Sequence, residues 1–182
     1  MGSTELAAVI GLVVIFAAAI ATLLYFKNRR TGKLRDKFGG VEYSRALTEG
    51  GSRRQAEAAL DQRTARVDSF NITPLAAADR TRFEDSWRKV QARFVDGPAG
   101  AVAEADQLLG DVMSTRGYPV SDFDQRAAHI SVSHPTVLAN YRTAHEIALR
   151  QAKGQADTEE LRQAMIHYRS LFEELVSERN AA

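Results

Sequence analysis

Residues 161–175, LRQAMIHYRSLFEEL, carry the most regular apolar pattern of the chain. Apolar side chains recur every three or four positions, a spacing that places them on one face of an α-helix. The residues of this face are Leu161, Ala164, Tyr168, Leu171 and Leu175. The stretch therefore predicts an amphipathic helix, capped at its start by Asp157 or Thr158.

Four preceding segments repeat this period. Their apolar faces are Phe83, Trp87, Val90 and Phe94; Val102, Ala105, Leu109 and Val112, widened by Leu108 and Met113; Phe123, Ala127 and Ile130; and Leu138, Tyr141, His145 and Ala148. Expected starts are Thr73 before Pro74, Ser121 and Pro135, and expected glycine stops are Gly117 and Gly154. Short turns join antiparallel neighbours, so residues 71–182 are predicted to form a compact antiparallel helical bundle.

The segment before the bundle has a thinner apolar face. Ser52 and Gln55 form a capping-box pair at the start of residues 53–69, where the face consists of Ala56, Leu60 and Val67. So thin a face buries little surface, which predicts an exposed helical arm. Between Gly39-Gly40 and Gly50-Gly51, residues 41–49 are expected to form either a loose helix or a linker.

An uncharged apolar run extends from Leu6 to Phe26. About 20 such residues span the hydrocarbon core of a bilayer as a helix, so the run predicts a single transmembrane anchor. A cleaved signal peptide is the rival interpretation, but residues 1–5 contain no base and the apolar core is too long. Small residues four apart, Ala7/Gly11 and Ala17/Ala21, would let two anchors pack closely, which makes a homodimer one candidate assembly.

A basic collar follows the run at once. Its members are Lys27, Arg29, Arg30, Lys33, Arg35 and Lys37. The positive-inside rule then predicts a single-pass membrane protein whose N-terminus is outside and whose C-terminal domain is cytoplasmic. The same collar is a candidate contact for the anionic headgroups of a lipid bilayer. Nucleic acid is not an expected partner, because residues 38–182 are not basic overall.

Composition excludes several classes of chemistry. The chain has 182 residues and no cysteine, so disulfides, thiolate metal sites and cysteine nucleophiles are ruled out. Helix-favouring residues dominate and β-branched runs are scarce, which predicts an all-α fold. Neither phosphate-binding glycine motif, G-x-x-x-x-G-K-[ST] or G-x-G-x-x-G, is present.

Two groups of residues have side chains that could form a chemical site. His129, His134, His145 and His167 have ligand-type side chains, but none lies in H-E-x-x-H or Glu-x-x-His spacing. Ser131, Ser133 and His134 follow the turn at residues 116–123, yet no G-x-S-x-G elbow accompanies them. The sequence therefore predicts no catalytic, cofactor or metal residue.

Three phrases resemble a group of bacterial single-pass membrane proteins that carry a soluble helical domain and have no assigned function. The phrases are Gln91–Asp96 (QARFVD), Arg116–Pro119 (RGYP) and Leu161–Arg169 (LRQAMIHYR). The resemblance covers residues 71–176. It implies a bacterial inner-membrane setting and one helical domain, and it implies no active residues.

These observations predict three parts: residues 1–26 as tail and anchor, 27–70 as collar and arm, and 71–182 as a cytoplasmic bundle. The function expected from them is a membrane-tethered protein-interaction module, an adaptor or scaffold that is not an enzyme and has an unknown protein partner. The alternative is a sensor bundle at the membrane that binds a metal or ligand through its histidines.

Overall fold

The computed structural model describes residues 2–119 and 122–177, without the side chains at positions 3–10, 13–14, 23 and 27. The described residues form seven α-helices and no strand, which confirms the all-α class. The helices are α1 Ser3–Gly50, α2 Arg53–Asp68, α3 Ala77–Arg93, α4 Pro98–Thr115, α5 Phe123–Ser133, α6 Pro135–Gln151 and α7 Thr158–Ser177. The chain divides into two compact units, Met1–Leu60 and Asp61–Ala182.

In the first unit, α1 bends sharply at Gly39. This residue has φ +72° and ψ 160°, which interrupts the helix and is readily adopted only by glycine. Beyond the bend, residues 40–50 are helical rather than a linker. The side chains of Thr31 and Tyr43 both donate hydrogen bonds to Glu57 Oε1. In a straight helix, residues 12 apart would lie about 18 Å from each other along the axis. The bend therefore brings two parts of α1 to the same carboxylate.

A tight turn joins α1 to α2. Gly51 has φ +65°, and a Cβ on Gly50 would lie 3.0 Å from the backbone nitrogen of Ala56. The hydroxyl of Ser52 accepts a hydrogen bond from the Gln55 backbone N–H at 3.3 Å, which confirms the cap predicted there.

The thin apolar face of α2 is buried. Ala56 and Leu60 are buried in the first unit and Val67 in the second, so α2 is not simply an exposed arm. Buried side chains of α1 in the first unit are Leu34, Phe38, Glu42, Tyr43 and Ala46. The sequence pattern missed this arrangement because it depends on the bend at Gly39, which returns the chain over its own preceding turns.

The predicted membrane anchor requires correction. No helix among the described residues has both the length and the apolar character needed to cross a membrane. Within the run 6–26 the structure describes the side chains at 11–12, 15–22 and 24–26, and the remainder lie outside the description. Helix α1 also continues past the run through the basic collar to Gly50. The single-pass inner-membrane location, with the N-terminus outside and the domain cytoplasmic, is contradicted by this finding.

The second unit is a helical bundle around one apolar core. All of the predicted face of α7 is buried, as are Phe83, Trp87 and Val90 of α3 and the predicted face of α4. Tyr141 and Tyr168 are the largest fully buried side chains. Phe94, Phe123 and Ala148 pack against the core from partly exposed positions. The helical period therefore identified the core correctly.

Most predicted helix ends are confirmed. Helix α6 begins at Pro135, and Asp157 rather than Thr158 caps α7 by accepting from the Glu160 N–H at 2.8 Å. After α4, the N–H of Gly117 bonds Ser114 O and that of Tyr118 bonds Met113 O, the pattern of a Schellman stop. Gly154 and Gln155 make the same pair of bonds to Gln151 and Arg150.

Two predicted starts are wrong or undecided. Helix α3 begins at Ala77, not at Pro74, because the Thr73 N–H bonds the Arg116 carbonyl oxygen and holds this segment outside the helix. Asp122 caps α5 by accepting from the Gln125 N–H. Ser121, the residue predicted to open this helix, lies outside the described residues.

Candidate protein-docking cleft

A cleft lies between α3 and α7 in the second unit. Its volume is about 500 Å³. Its walls are formed by Arg80, Glu84, Trp87, Arg88 and Gln91 of α3 and by Arg169, Phe172, Glu173, Val176 and Ser177 of α7. From Arg80 to Gln91 the cleft follows about three turns of helix, or roughly 16 Å.

The floor of the cleft is aromatic. Trp87 and Phe172 stack with ring centroids 4.7 Å apart and planes 17° from parallel. Such pairs contribute about 0.5–1.5 kcal/mol beyond the area they bury. Trp87 is the single tryptophan of the chain. The sequence predicts Trp87 as a core residue, four positions after Phe83, and the same side chain also forms the floor of the cleft.

The rim carries more positive than negative charge. Arg80, Arg88 and Arg169 face two acids, Glu84 and Glu173. Arg169 pairs with Glu173 at 2.6 Å, and both side chains are more than half exposed. Such exposed pairs contribute only about 0–1 kcal/mol. A carboxylate on a ligand can therefore replace Glu173 as the partner of Arg169 at a small cost in free energy.

Two N–H donors at the cleft have no acceptor among the residues that the structure describes. Trp87 Nε1 and Arg80 Nε are buried, and neither has a hydrogen-bond partner within the described part of the chain. Buried donors are nearly always paired in folded proteins. Because both atoms lie beneath the surface, a neighbouring side chain must move before an acceptor reaches them.

The predicted basic collar lies on α1, in the first unit. Arg29, Arg30, Arg35, Lys33 and Lys37 are exposed. The side chain of Lys27, the remaining member, lies outside the description. The collar side chains that the structure describes are not among those that line the α3–α7 cleft, which belongs to the second unit.

The four histidines have separate surroundings. The ring of His129 meets Phe70 edge-on at 5.0 Å, and His134 Nδ1 lies 3.4 Å from a carboxylate oxygen of Glu174. His145 stacks on Phe123 at 3.5 Å, whereas His167 contributes its carbonyl oxygen to Ser170. Among the described residues no group of three or more His, Cys, Asp or Glu side chains is placed to hold a metal ion.

In the serine–histidine segment, residues 131–134, the Ser131 hydroxyl makes a hydrogen bond within its own helix. The fully buried Ser131 hydroxyl donates to the Ala128 carbonyl oxygen at 2.6 Å. Arg116, in the turn before this segment, is also buried and donates from Nη1 to Leu175 O at 3.1 Å and from Nε to Thr73 O at 3.4 Å. Arg116 thus ties the end of α4 to α7 and to the segment before α3.

An ionic network that the sequence did not indicate lies at the edge of the core. Arg126 Nη2 pairs with Asp106 Oδ2 at 2.9 Å, and the Tyr141 hydroxyl donates to Asp106 Oδ1 at 3.4 Å. Burial, followed by the nearby Asp106 charge, raises the pKa of Tyr141 and of Tyr168. Burial opposes the charged form of Arg126, but Tyr141 and Asp106 outweigh it and raise the pKa of Arg126. The network keeps a charged pair inside the bundle.

The comparisons with known proteins give no relative. No protein-family model, no curated protein and no solved structure matches the chain.

Proposed function

We propose that the protein is a helical protein-interaction module, an adaptor or scaffold without catalytic activity, whose partner docks in the α3–α7 cleft. The observation that carries this proposal is the stacked Trp87–Phe172 floor, at which Trp87 Nε1 and Arg80 Nε have no acceptor among the described residues. The membrane tether expected from the sequence is not part of the proposal.

The cleft selects for a short amphipathic helix with an acidic flank. Its length of about three turns fits a helix that presents apolar anchors at i, i+3 or i+4, and i+7. The excess of arginine on the rim favours carboxylates beside those anchors, and both unpartnered donors require acceptor oxygens. Tryptophan and arginine are also the residue types most often found at the energetic centres of interfaces.

The single tryptophan makes the cleft directly observable. A three-turn amphipathic peptide with glutamate flanks, titrated into the full-length protein, should produce a saturable change in Trp87 fluorescence. The same peptide with lysine in place of glutamate should bind more weakly, since its charge then opposes the rim. No saturable change with the acidic peptide would contradict the proposal.

Matched variants on α7 separate the cleft from general surface charge. Arg169→Gln should weaken the peptide by about two- to fivefold, the range expected for one exposed charge contact. Arg162→Gln removes the same charge from the same helix, where Arg162 pairs with Glu159 outside the cleft. Equal losses in the two variants would assign the binding to diffuse charge.

The natural partner can be sought by site-specific photo-crosslinking. A crosslinker at the exposed Gln91 lies on the cleft, whereas one at the exposed Gln155 lies in the turn before α7. A partner captured from position 91 should be absent at position 155 and reduced by Arg169→Gln. A second copy of the chain captured at position 91 would identify the occupant as a homodimer partner instead.

A further inference from the structure

Three arginines from two helices converge in the first unit. Arg30 of α1 and Arg53 and Arg54 of α2 line one cavity of about 390 Å³, together with Phe26 and Glu57. They meet because α1 bends at Gly39 and α2 returns after the Gly50–Gly51 turn. We call this space the arginine cavity.

The acid in the cavity is already engaged. Glu57 Oε1 accepts hydrogen bonds from Thr31 at 2.6 Å, Tyr43 at 3.0 Å and Arg53 Nε at 3.1 Å. The Glu57 side chain is 8% exposed, so it forms the base of the cavity rather than its mouth. A guanidinium carries four further N–H donors on its Nη atoms, so the bond from Nε leaves Arg53 able to bind a second acceptor.

The net charge of the lining is positive. Three guanidinium groups and one carboxylate give +2, from the five lining residues. A phosphate ester carries between one and two negative charges near neutral pH, and arginine binds it with two parallel N–H donors. Phe26, which is 61% exposed, adds an apolar wall next to these charges.

We propose that the arginine cavity binds the phosphate group of a phosphate-bearing anion, with Phe26 against the group that carries the phosphate. A soluble phosphate ester and a phospholipid headgroup share this chemistry. The inference is independent of the docking cleft, which is formed by other helices.

The test uses the full-length protein and two probes. Inorganic phosphate is titrated by calorimetry, and vesicles of phosphatidylglycerol are compared with phosphatidylcholine vesicles by co-sedimentation. Arg54→Gln and Arg30→Gln remove cavity charges, and Arg35→Gln removes an exposed charge from the same helix as Arg30 without touching the cavity. The two cavity variants should weaken binding about tenfold, as expected for one charge-assisted contact, and Arg35→Gln should change it less than about twofold.

The outcomes decide both the site and the source of the phosphate. Saturable binding of inorganic phosphate that Arg54→Gln weakens identifies a soluble ligand, whereas vesicle binding alone with the same variant dependence identifies a headgroup. Binding of neither probe, or equal losses in Arg35→Gln and Arg54→Gln, would overturn the proposal. Because Arg54 is exposed, its variant should retain the circular dichroism of the wild type, even if Arg30→Gln does not.

Discussion

In the first unit an acid, Glu57, accepts three hydrogen bonds, whereas the interior of the second is built from leucine, valine, tyrosine and other apolar residues. Glu57 accepts hydrogen bonds from Thr31 and Tyr43 of α1 and from Arg53 of α2. In the second unit the comparable pair, Asp106 and Arg126, lies at the edge of a large apolar core. Burying a charge is costly unless it is paired, while burying apolar surface is favourable by itself. We therefore expect the charge of Glu57 to support the first unit beside its buried apolar side chains, and packing to dominate in the second.

The largest expected effect tests packing in the second unit. Gly117 has φ +100°, and a Cβ there would lie 2.3 Å from the Asn71 carbonyl oxygen. Gly117→Ala should lower the free energy of unfolding by about 3 kcal/mol, from left-handed strain and overpacking together. Urea unfolding followed by Trp87 fluorescence measures it. Gly100→Ala is the control: no atom lies within 4 Å of its Cβ, so this helical site should gain up to about 1 kcal/mol.

The second-largest effect concerns the stability that the Asp106–Arg126 ion pair gives to the second unit. Asp106→Asn leaves Arg126 partly buried without its charged partner and should cost about 2 kcal/mol, between the values for exposed and buried pairs. Asp111→Asn, an exposed acid on the same helix, should cost less than about 0.5 kcal/mol. If the two variants unfold at the same urea concentration, the network adds no stability to the bundle.

A third prediction concerns the acid at the centre of the first unit. Glu57→Gln weakens three hydrogen bonds to a charged acceptor and should cost about 1.5 kcal/mol. The loss should appear as faster hydrogen exchange at residues 53–60 with little change in α7. Glu49→Gln, which removes an exposed pair with Arg45, is the control. Faster exchange throughout α7 would contradict the division between the units.

The two units should also respond to acid in different pH windows. Burial raises the pKa of Glu57, but hydrogen bonds from Thr31, Tyr43 and Arg53 outweigh it and lower the pKa below its ordinary 4.5. Its stabilisation is thus present above pH 4.5 and is lost as the pH falls through the folded-state value. Burial, then Arg66, lowers the pKa of His129 below 6.5. The neutral ring is favoured in the fold, so the second unit loses stability as the pH falls below 6.5.

Hydrogen exchange measured from pH 7 to pH 3 separates these windows. His129→Gln should reduce the loss that begins below pH 6.5 in the second unit and leave residues 53–60 unchanged. Glu57→Gln should remove the later loss in the first unit only. A single common transition in both variants would contradict separate ionisation behaviour.

The smallest losses of stability are expected from removing the N-terminal caps of α7 and α2. At α7 the bonds are reciprocal, since Asp157 accepts from the Glu160 N–H and Glu160 accepts from the Asp157 N–H. At α2 the Ser52 bond is longer, 3.3 Å. Asp157→Ala should cost about 1 kcal/mol and Ser52→Ala about 0.5 kcal/mol, measured by urea unfolding and by exchange in α2 respectively. A larger loss for Ser52→Ala than for Asp157→Ala would mean that the cap of α2 stabilises its helix more than the bond lengths indicate.

Features set by local pattern could be predicted from the sequence, and features set by distant contacts could not. The faces of α4 and α7, the cap at Asp157 and the stops at Gly117 and Gly154 all follow from neighbouring residues. The start of α3 did not, because Thr73 bonds Arg116, a residue 43 positions later.

The same limit applies to the sites. The cleft is formed by polar positions on α3 that look like an ordinary solvated face until α7 is placed beside them. In the arginine cavity, Arg30 belongs to a predicted collar, but Arg53 and Arg54 reach it only through the bend at Gly39. A glycine pair in the sequence indicates a break in the helix, but not the direction in which the chain turns.

The position of Arg116 has a consequence for the order in which the chain folds. Its bond to Leu175 joins residues 59 positions apart, whereas the Glu57 bond to Thr31 spans 26. Contacts between distant residues form more slowly, because a longer loop must first be closed. During synthesis the residues around Glu57 emerge completely before α7 is made. We therefore expect the bend at Gly39 to form early. The hydrogen bond from Arg116 to Leu175 O should form late and complete the bundle.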